Sequence, residues 1–297
     1  MKKIILILCL AFFVFSTLSA GFEEDIKAFG KENGKNYIRP FVHTLSANLN
    51  NGWYNSAETG LLHFGFTINT MVALIPDGDQ TFIATSPDTT IYQEDEIETA
   101  TCFGDNGGTF HSNNPQVSDL EFPPGVNLKA LPFAVPQAEL GLPGGFGVQL
   151  RFLPNAEYFK EVGKTSLIGV GVKNEISKQF PLCPVAIALQ ASYQKFEMNN
   201  TASYSSIFVN LHASKSLVVA PISFFGGIGL ENSTFEADYT LDNPVSGDEE
   251  DIAFEIKTEN EIRTNVGARL KIMLVDMILE YSLGEYSSAR FGLGFSL

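Results

Sequence analysis

From Leu62 the chain alternates. Leu62, Phe64, Phe66, Ile68, Val72 and Leu74 share one parity, and His63, Gly65, Thr67, Asn69 and Ala73 the other. A period of two kept up over this length predicts a strand with one greasy face, long enough to cross a bilayer. The signature returns around 146–152, 168–172, 185–193, 207–211, 222–230 and 262–272. It runs to the last residue, where Ala289, Phe291, Leu293, Phe295 and Leu297 alternate with Ser288, Arg290, Gly292, Gly294 and Ser296. Ahead of these strands the period is helical. Phe22, Ile26 and Phe29 form one stripe, and after Pro40 a second is formed by Phe41, Leu45 and Leu49, so two short amphipathic helices are expected within 21–60.

Alternation alone does not choose the solvent, because a soluble sandwich alternates too. The faces opposite the apolar ones carry glycine and scattered charge, as the wet lumen of a transmembrane barrel does. Many runs also approach the length a tilted strand needs to span hydrocarbon, whereas sandwich strands are shorter. Counting back from the C-terminus, the joints near 274–276, 216–221, 177–184 and 142–145 fall on one side. Those near 284–287, 242–259, 198–202 and 154–164 fall on the other, so the long acidic connection 242–259 lands outside, as in bacterial barrels. Between Pro76 and Pro132 the pattern breaks, with an irregular excursion around 86–130 and two further strands expected. The expected fold is an all-β, antiparallel transmembrane β-barrel over 61–297 of about twelve strands, within a range of ten to fourteen.

If the apolar faces meet lipid, Arg151, Lys173, Arg263, Arg269, Lys271 and Arg290 point inward, with Glu139, Glu231, Glu280 and Asp276 as partners, since charge at lipid depth is costly. Two readings stay open: ion pairs across the lumen that brace the wall and hold a plug, or a polar passage or gate that a solute crosses when the plug shifts.

The first twenty residues order charge, grease and small side chains, from Lys2 and Lys3 through an apolar run to Ser19 and Ala20. That is the plan of a secretory signal peptide cut near Ala20. Its loss takes the formal charge from −15 to −17 and leaves 34 acidic residues against 17 basic, a surface that repels nucleic acid. Cys102 and Cys183 then remain, in a compartment that allows either a disulfide between them or two separate thiols. No nucleophile elbow, zinc helix or phosphate loop is present. His43, His63, His111 and His212 are scattered, and Asp248, Glu249, Glu250 and Asp251 lack the spacing of a calcium loop. The sequence therefore implies no cofactor, metal site or catalytic residue, and a membrane-embedded hydrolase is the weakest of the functions considered.

Short pieces across most of the mature chain carry a resemblance: Leu49-Asn50-Asn51-Gly52-Trp53-Tyr54 with Ala57, Phe103-Gly104-Asp105 before Gly107-Gly108, and Leu131-Pro132 with Pro136. To these add Arg151-Phe152-Leu153-Pro154, Gly169-Val170-Gly171-Val172-Lys173, and Asn265-Val266-Gly267 with Glu280-Tyr281. They resemble an uncharacterised bacterial outer-membrane β-barrel family, itself similar to the long-chain fatty-acid (FadL-like) outer-membrane transporters. The resemblance implies that residues before Leu62, with Phe22, Ile26, Phe29, Phe41, Leu45 and Leu49, plug the barrel, and that small, hydrophobic molecules pass. The terminal strand resembles the one the barrel-assembly machinery recognises, which implies the outer membrane of a diderm bacterium and its lipid as partners. The alternative is a non-transporting barrel whose acidic outer loop binds a surface partner.

Overall fold

The computed structural model describes residues 30–159, 163–180, 183–199, 201–242 and 249–297. Helix α1 (Lys31–Leu49) comes first, then β1 (Phe64–Leu74). Four short strands follow: β2 (Thr81–Thr85), β3 (Glu96–Ala100), β4 (Thr109–Phe110) and β5 (Leu120–Glu121). Long strands resume with β6 (Ala130–Gly141), β7 (Phe146–Phe159), β8 (Gly163–Glu175), β9 (Ala186–Met198) and β10 (Ala202–Ser216). The last four are β11 (Ile222–Asp242), β12 (Glu249–Ile272), β13 (Val275–Leu283) and β14 (Ser288–Ser296).

β1 and β6 to β14 close into one antiparallel barrel, sealed where β1 pairs with β14 from Gly65↔Ser296 to Ala73↔Ser288. Its polarity is that of a soluble protein turned inside out. Ile68, Leu150, Val170, Leu189, Val209, Ile228, Val266, Leu279 and Leu293 are exposed on the outside, while Arg151, Gln194, Glu231, Arg263 and Arg290 are buried inside. So wide an apolar band would drive association in water and is stable against lipid. At one end of the band sit exterior ion pairs, Lys195 with Glu197 at 2.7 Å and Lys257 with Glu255 at 2.9 Å. At the end of the barrel that holds the C-terminus the connections at 142–145, 217–221 and 273–274 are short and the one at 176–185 is longer than a tight turn, whereas residues 75–129 lie at the opposite end. We call these the inner and outer mouths.

The barrel has ten strands, so the expectation of about twelve is corrected within its range. The two strands expected between Pro76 and Pro132 stay out of the wall: β2 pairs only with β3, and β4 only with β5. Five residues are too few to cross hydrocarbon. These strands instead build a cap on the outer mouth around Ala84, Phe110 and Phe122. The helix is also corrected. It starts at Lys31 and runs through Pro40 rather than after it. Packing on every side makes up for the hydrogen bond that proline removes, because Tyr37, Ile38, Phe41, Val42, Leu45 and Leu49 are all buried. Phe22, Ile26, Phe29, the signal segment, the tip of the acidic loop and its Asp248 lie outside the described residues. Of the two readings left open for the cysteines the structure has separate thiols, Cys102 buried and Cys183 half-buried near the inner mouth. Burial pushes the Cys102 thiol up from its ordinary range.

Candidate functional site: a latched plug in the lumen

The chain descends the lumen from outer to inner mouth before β1 begins. At the outer mouth α1 is tied to the cap. Asn33 Nδ2 donates to the Thr85 carbonyl at 2.8 Å, the Tyr37 hydroxyl to that of Pro124 at 3.1 Å, and Cys102 N to that of Tyr37 at 2.9 Å. His43 stacks on Tyr286 with centroids 5.4 Å apart, and the Tyr286 hydroxyl reaches Asp79 at 2.7 Å. Burial, followed by that hydrogen bond, pushes this hydroxyl up. Below lies an apolar layer in which Phe41 meets Phe235 edge-on at 6.5 Å, and Leu45 and Leu49 pack among Val135, Leu167, Phe196 and Phe254.

The lower half is polar, and there the wall grips the backbone of the plug. Arg151 donates to the carbonyls of Leu49 at 2.5 Å and Asn51 at 2.7 Å. A cation thus meets the carbonyls that the end of α1 leaves open, where the helix dipole favours positive charge. Arg290 takes the Tyr54 carbonyl at 3.2 Å and Asn55 Oδ1 at 2.6 Å. Lys173 takes the carbonyls of Ser56 at 2.8 Å and Glu58 at 3.3 Å, and Lys178 that of Thr59. An irregular segment buried in a lumen has carbonyls that need donors. These cations supply many of them.

The inward charges do hold the plug, as one sequence reading expects, but their ion pairs do not cross the lumen. Arg263 pairs with Glu231 at 2.6 Å, Arg290 with Glu280 at 2.7 Å and Arg269 with Asp276 at 2.7 Å, each between adjacent strands rather than across the lumen. Arg151 and Lys173 have no carboxylate partner among the described residues, and hold the plug instead. Glu231 does both, accepting from Ser46 of α1 at 2.7 Å. Glu139 meets His63 at 3.3 Å near the inner mouth, where Arg269 and Lys271 are half-buried.

Residues that charge alone did not single out complete the site. Trp53, buried at mid-lumen, stacks beneath Arg151, whose guanidinium carbon is 4.0 Å from the ring centroid. Tyr54 stacks on His212 at 3.8 Å and donates its hydroxyl to Asn265. Gln137 and Gln190 each donate to the Trp53 carbonyl at 3.3 Å, and Gln194 to Asn50 at 3.0 Å. All three glutamines sit at inward parity, a signal that could have been read beside the charges. The alternating glycines of β8 have a purpose here. A Cβ on Gly169 would stand 2.9 Å from Trp53 Cη2, and one on Gly171 3.2 Å from its Cε3. Gly171→Val is expected to push the indole out of its slot at about 1–3 kcal/mol. Trp53 is the sole tryptophan, so its emission should move to the red; unchanged emission would refute the fit.

The wall has one weak side. β6 and β7 pair only from Gln137↔Arg151 to Gly141↔Gly147, although β6 pairs with β1 along its whole length, up to Leu74↔Ala130. Pro132 and Pro136 explain the break. They share one parity, neither can donate, and the ladder to β1 passes both uninterrupted, so the missing donors fall on the β7 edge. That edge is shut by packing, since Ala134 is 7% exposed and Leu153 lies against the apolar layer, while Asn48 of the plug holds β6 from its other side through the Leu131 carbonyl at 2.8 Å.

No curated protein matches the chain. Among solved structures it is similar to Neisserial surface protein A, at 8% identity and TM-score 0.27, covering 79% of this chain and 96% of that one. It is also similar to Ail of Yersinia pestis, at 9% identity and TM-score 0.25, covering 80% and 100%. A third is the KdgM porin, at 13% identity and TM-score 0.27, covering 55% and 92%. A family model matches residues 1–297 from end to end, and the chain belongs to that family, a family of unknown function (DUF6588).

Proposed function

We propose that the protein is a plugged channel of the outer membrane that passes small hydrophobic molecules, and that plug and wall seam open together. The observation that carries this is the Asn48 amide on the Leu131 carbonyl. It ties the plug to β6, on the side that pairs with β1, right beside the wall edge that lacks a strand partner among the described residues. An unbonded edge is not tolerated in hydrocarbon unless protein covers it, so movement of α1 frees the edge and exposes the lumen layer of Phe133, Phe196, Phe235 and Phe254. That layer suits an apolar solute. The cations below it, bound to carbonyls rather than packed in grease, form a latch that a competing polar group can replace.

Restoring donors to the edge tests the reading. Pro132→Val with Pro136→Val lets the ladder to β7 extend by two hydrogen bonds, worth about 2 kcal/mol together. Uptake of a fluorescent fatty acid into proteoliposomes should fall about ten-fold or more, with the heat-modifiable gel shift of a folded barrel retained. If the unaltered protein passes neither that probe nor a small sugar, transport is wrong. In that event the alternative of a non-transporting, surface-binding barrel stands.

A further inference from the structure

At the inner mouth the plug leaves the lumen beside a cavity of about 540 Å³, a volume usual for small-molecule sites. Ser56, Glu58 and His63 line it from the plug side; Ser216, Arg269 and Lys271 line it from the wall. Two of these charges are unbalanced. Asp276 lies directly across from Lys271 in register but gives its carboxylate to Arg269 at 2.7 Å. Among the described residues the Lys271 ammonium then has no carboxylate within 4.0 Å. Arg269 spends Nε on Asp276 and Nη2 on Ser296 at 3.0 Å, and its Nη1 has no acceptor among the described residues. Opposite, the Glu58 carboxylate accepts from the Ser216 hydroxyl at 3.2 Å and, among the described residues, has no cation side chain within 4.0 Å.

An unpaired cation on the wall and an unpaired anion on the plug thus share one cavity without reaching each other. We infer that this vestibule binds a small zwitterion, of amino-acid to dipeptide size. Its carboxylate lies on Lys271 and Arg269 Nη1, which sit two residues apart on one strand face, and its ammonium lies on Glu58. A simple anion would face the Glu58 charge, and a simple cation the Lys271 charge. Only a solute carrying both answers both, and the three serine hydroxyls of the lining serve its remaining polar atoms. Because Glu58 belongs to the plug and Lys173 holds its carbonyl at 3.3 Å, occupancy bears on the latch from the inner side. The site stands whether or not hydrophobic molecules pass above it.

The test uses the full-length protein in nonionic micelles, titrated calorimetrically with alanylalanine, N-acetyl-alanylalanine and alanylalanine amide. The zwitterion should bind about ten-fold more tightly than either capped form, the worth of one charge-assisted contact. Lys271→Met should erase its advantage over the amide and leave its advantage over the acetylated form. Glu58→Gln should do the reverse. Both variants must keep the heat-modifiable shift, and Lys129→Met, which removes an exposed charge at the opposite mouth, should leave all three affinities unchanged. Equal binding of the three probes, binding of none at millimolar concentration, or a preference that survives both variants would overturn the inference.

Discussion

Arg290→Met should lower unfolding stability by about 3–5 kcal/mol, the cost of removing one partner from a buried ion pair. Arg290 is 2% exposed, and its guanidinium bonds Glu280 at 2.7 Å, Asn69 at 2.6 Å, Asn55 at 2.6 Å and the Tyr54 carbonyl at 3.2 Å. The variant would leave Glu280 charged and buried, and an acceptor of the plug unfilled. The plug has shaped itself to this side chain: Gly52 has φ +76, and a Cβ there would fall 2.7 Å from Arg290 Cδ. Methionine in place of both Arg290 and Glu280 should recover a large part of the loss, since it removes the uncompensated charge. Urea unfolding in lipid vesicles measures both. A single variant within 1 kcal/mol of the parent would mean that Arg290 is dispensable to the latch, against the expectation for a buried pair.

Trp53→Ala is expected to cost about 3 kcal/mol, the low end for emptying so large a side chain, and to make a silent barrel conduct ions. The low end applies because the surroundings are polar. The Trp53 Nε1, Gln149 Nε2, Gln190 Oε1 and Asn210 Nδ2 atoms are buried without a protein partner, so water fills the gap that an apolar site would leave empty. That water would join the vestibule below to the level of Arg151. Trp53→Phe keeps a ring beneath the guanidinium and should stay closed. Planar-bilayer recordings separate the two, and an alanine variant as silent as the parent would show that something other than the indole seals the lumen.

Much of the barrel was legible because lipid imposes a simple rule. Along β14, Phe291, Leu293 and Phe295 face out while Ser288, Arg290 and Ser296 face in, and period-two alternation reports that. The cap was less legible, since Phe82 and Ile83 look like the start of a wall strand and only strand length excludes it. Pro40 misled for a different reason: its penalty inside a helix is real, but burial of Tyr37, Phe41 and Leu45 outweighs it. The inward parity of Arg151, Lys173 and Arg263 could be read, whereas their partners could not. A backbone carbonyl carries no letter in the sequence, and the latch on Leu49, Asn51 and Ser56 is made of carbonyls. Pro132 and Pro136 were visible throughout, four residues apart on one parity, but only the neighbours of β6 in the sheet make them a broken ladder.

The path of the plug also sets an order of events in assembly. Its lumen contacts join residues far apart in the chain, as in Ser46 to Glu231 across 185 positions and Asn51 to Ser288 across 237. The barrel closes only when its first strand meets its last. α1 is fastened to the cap at one mouth and continues into β1 at the other, so a wall already shut could admit it only by threading. Plugging and closure are then one kinetic step that waits for β14, and contacts of such high order make it slow. A nascent barrel lacking its final strand holds an open wall around a free plug, and whatever delivers β14 also seals the membrane.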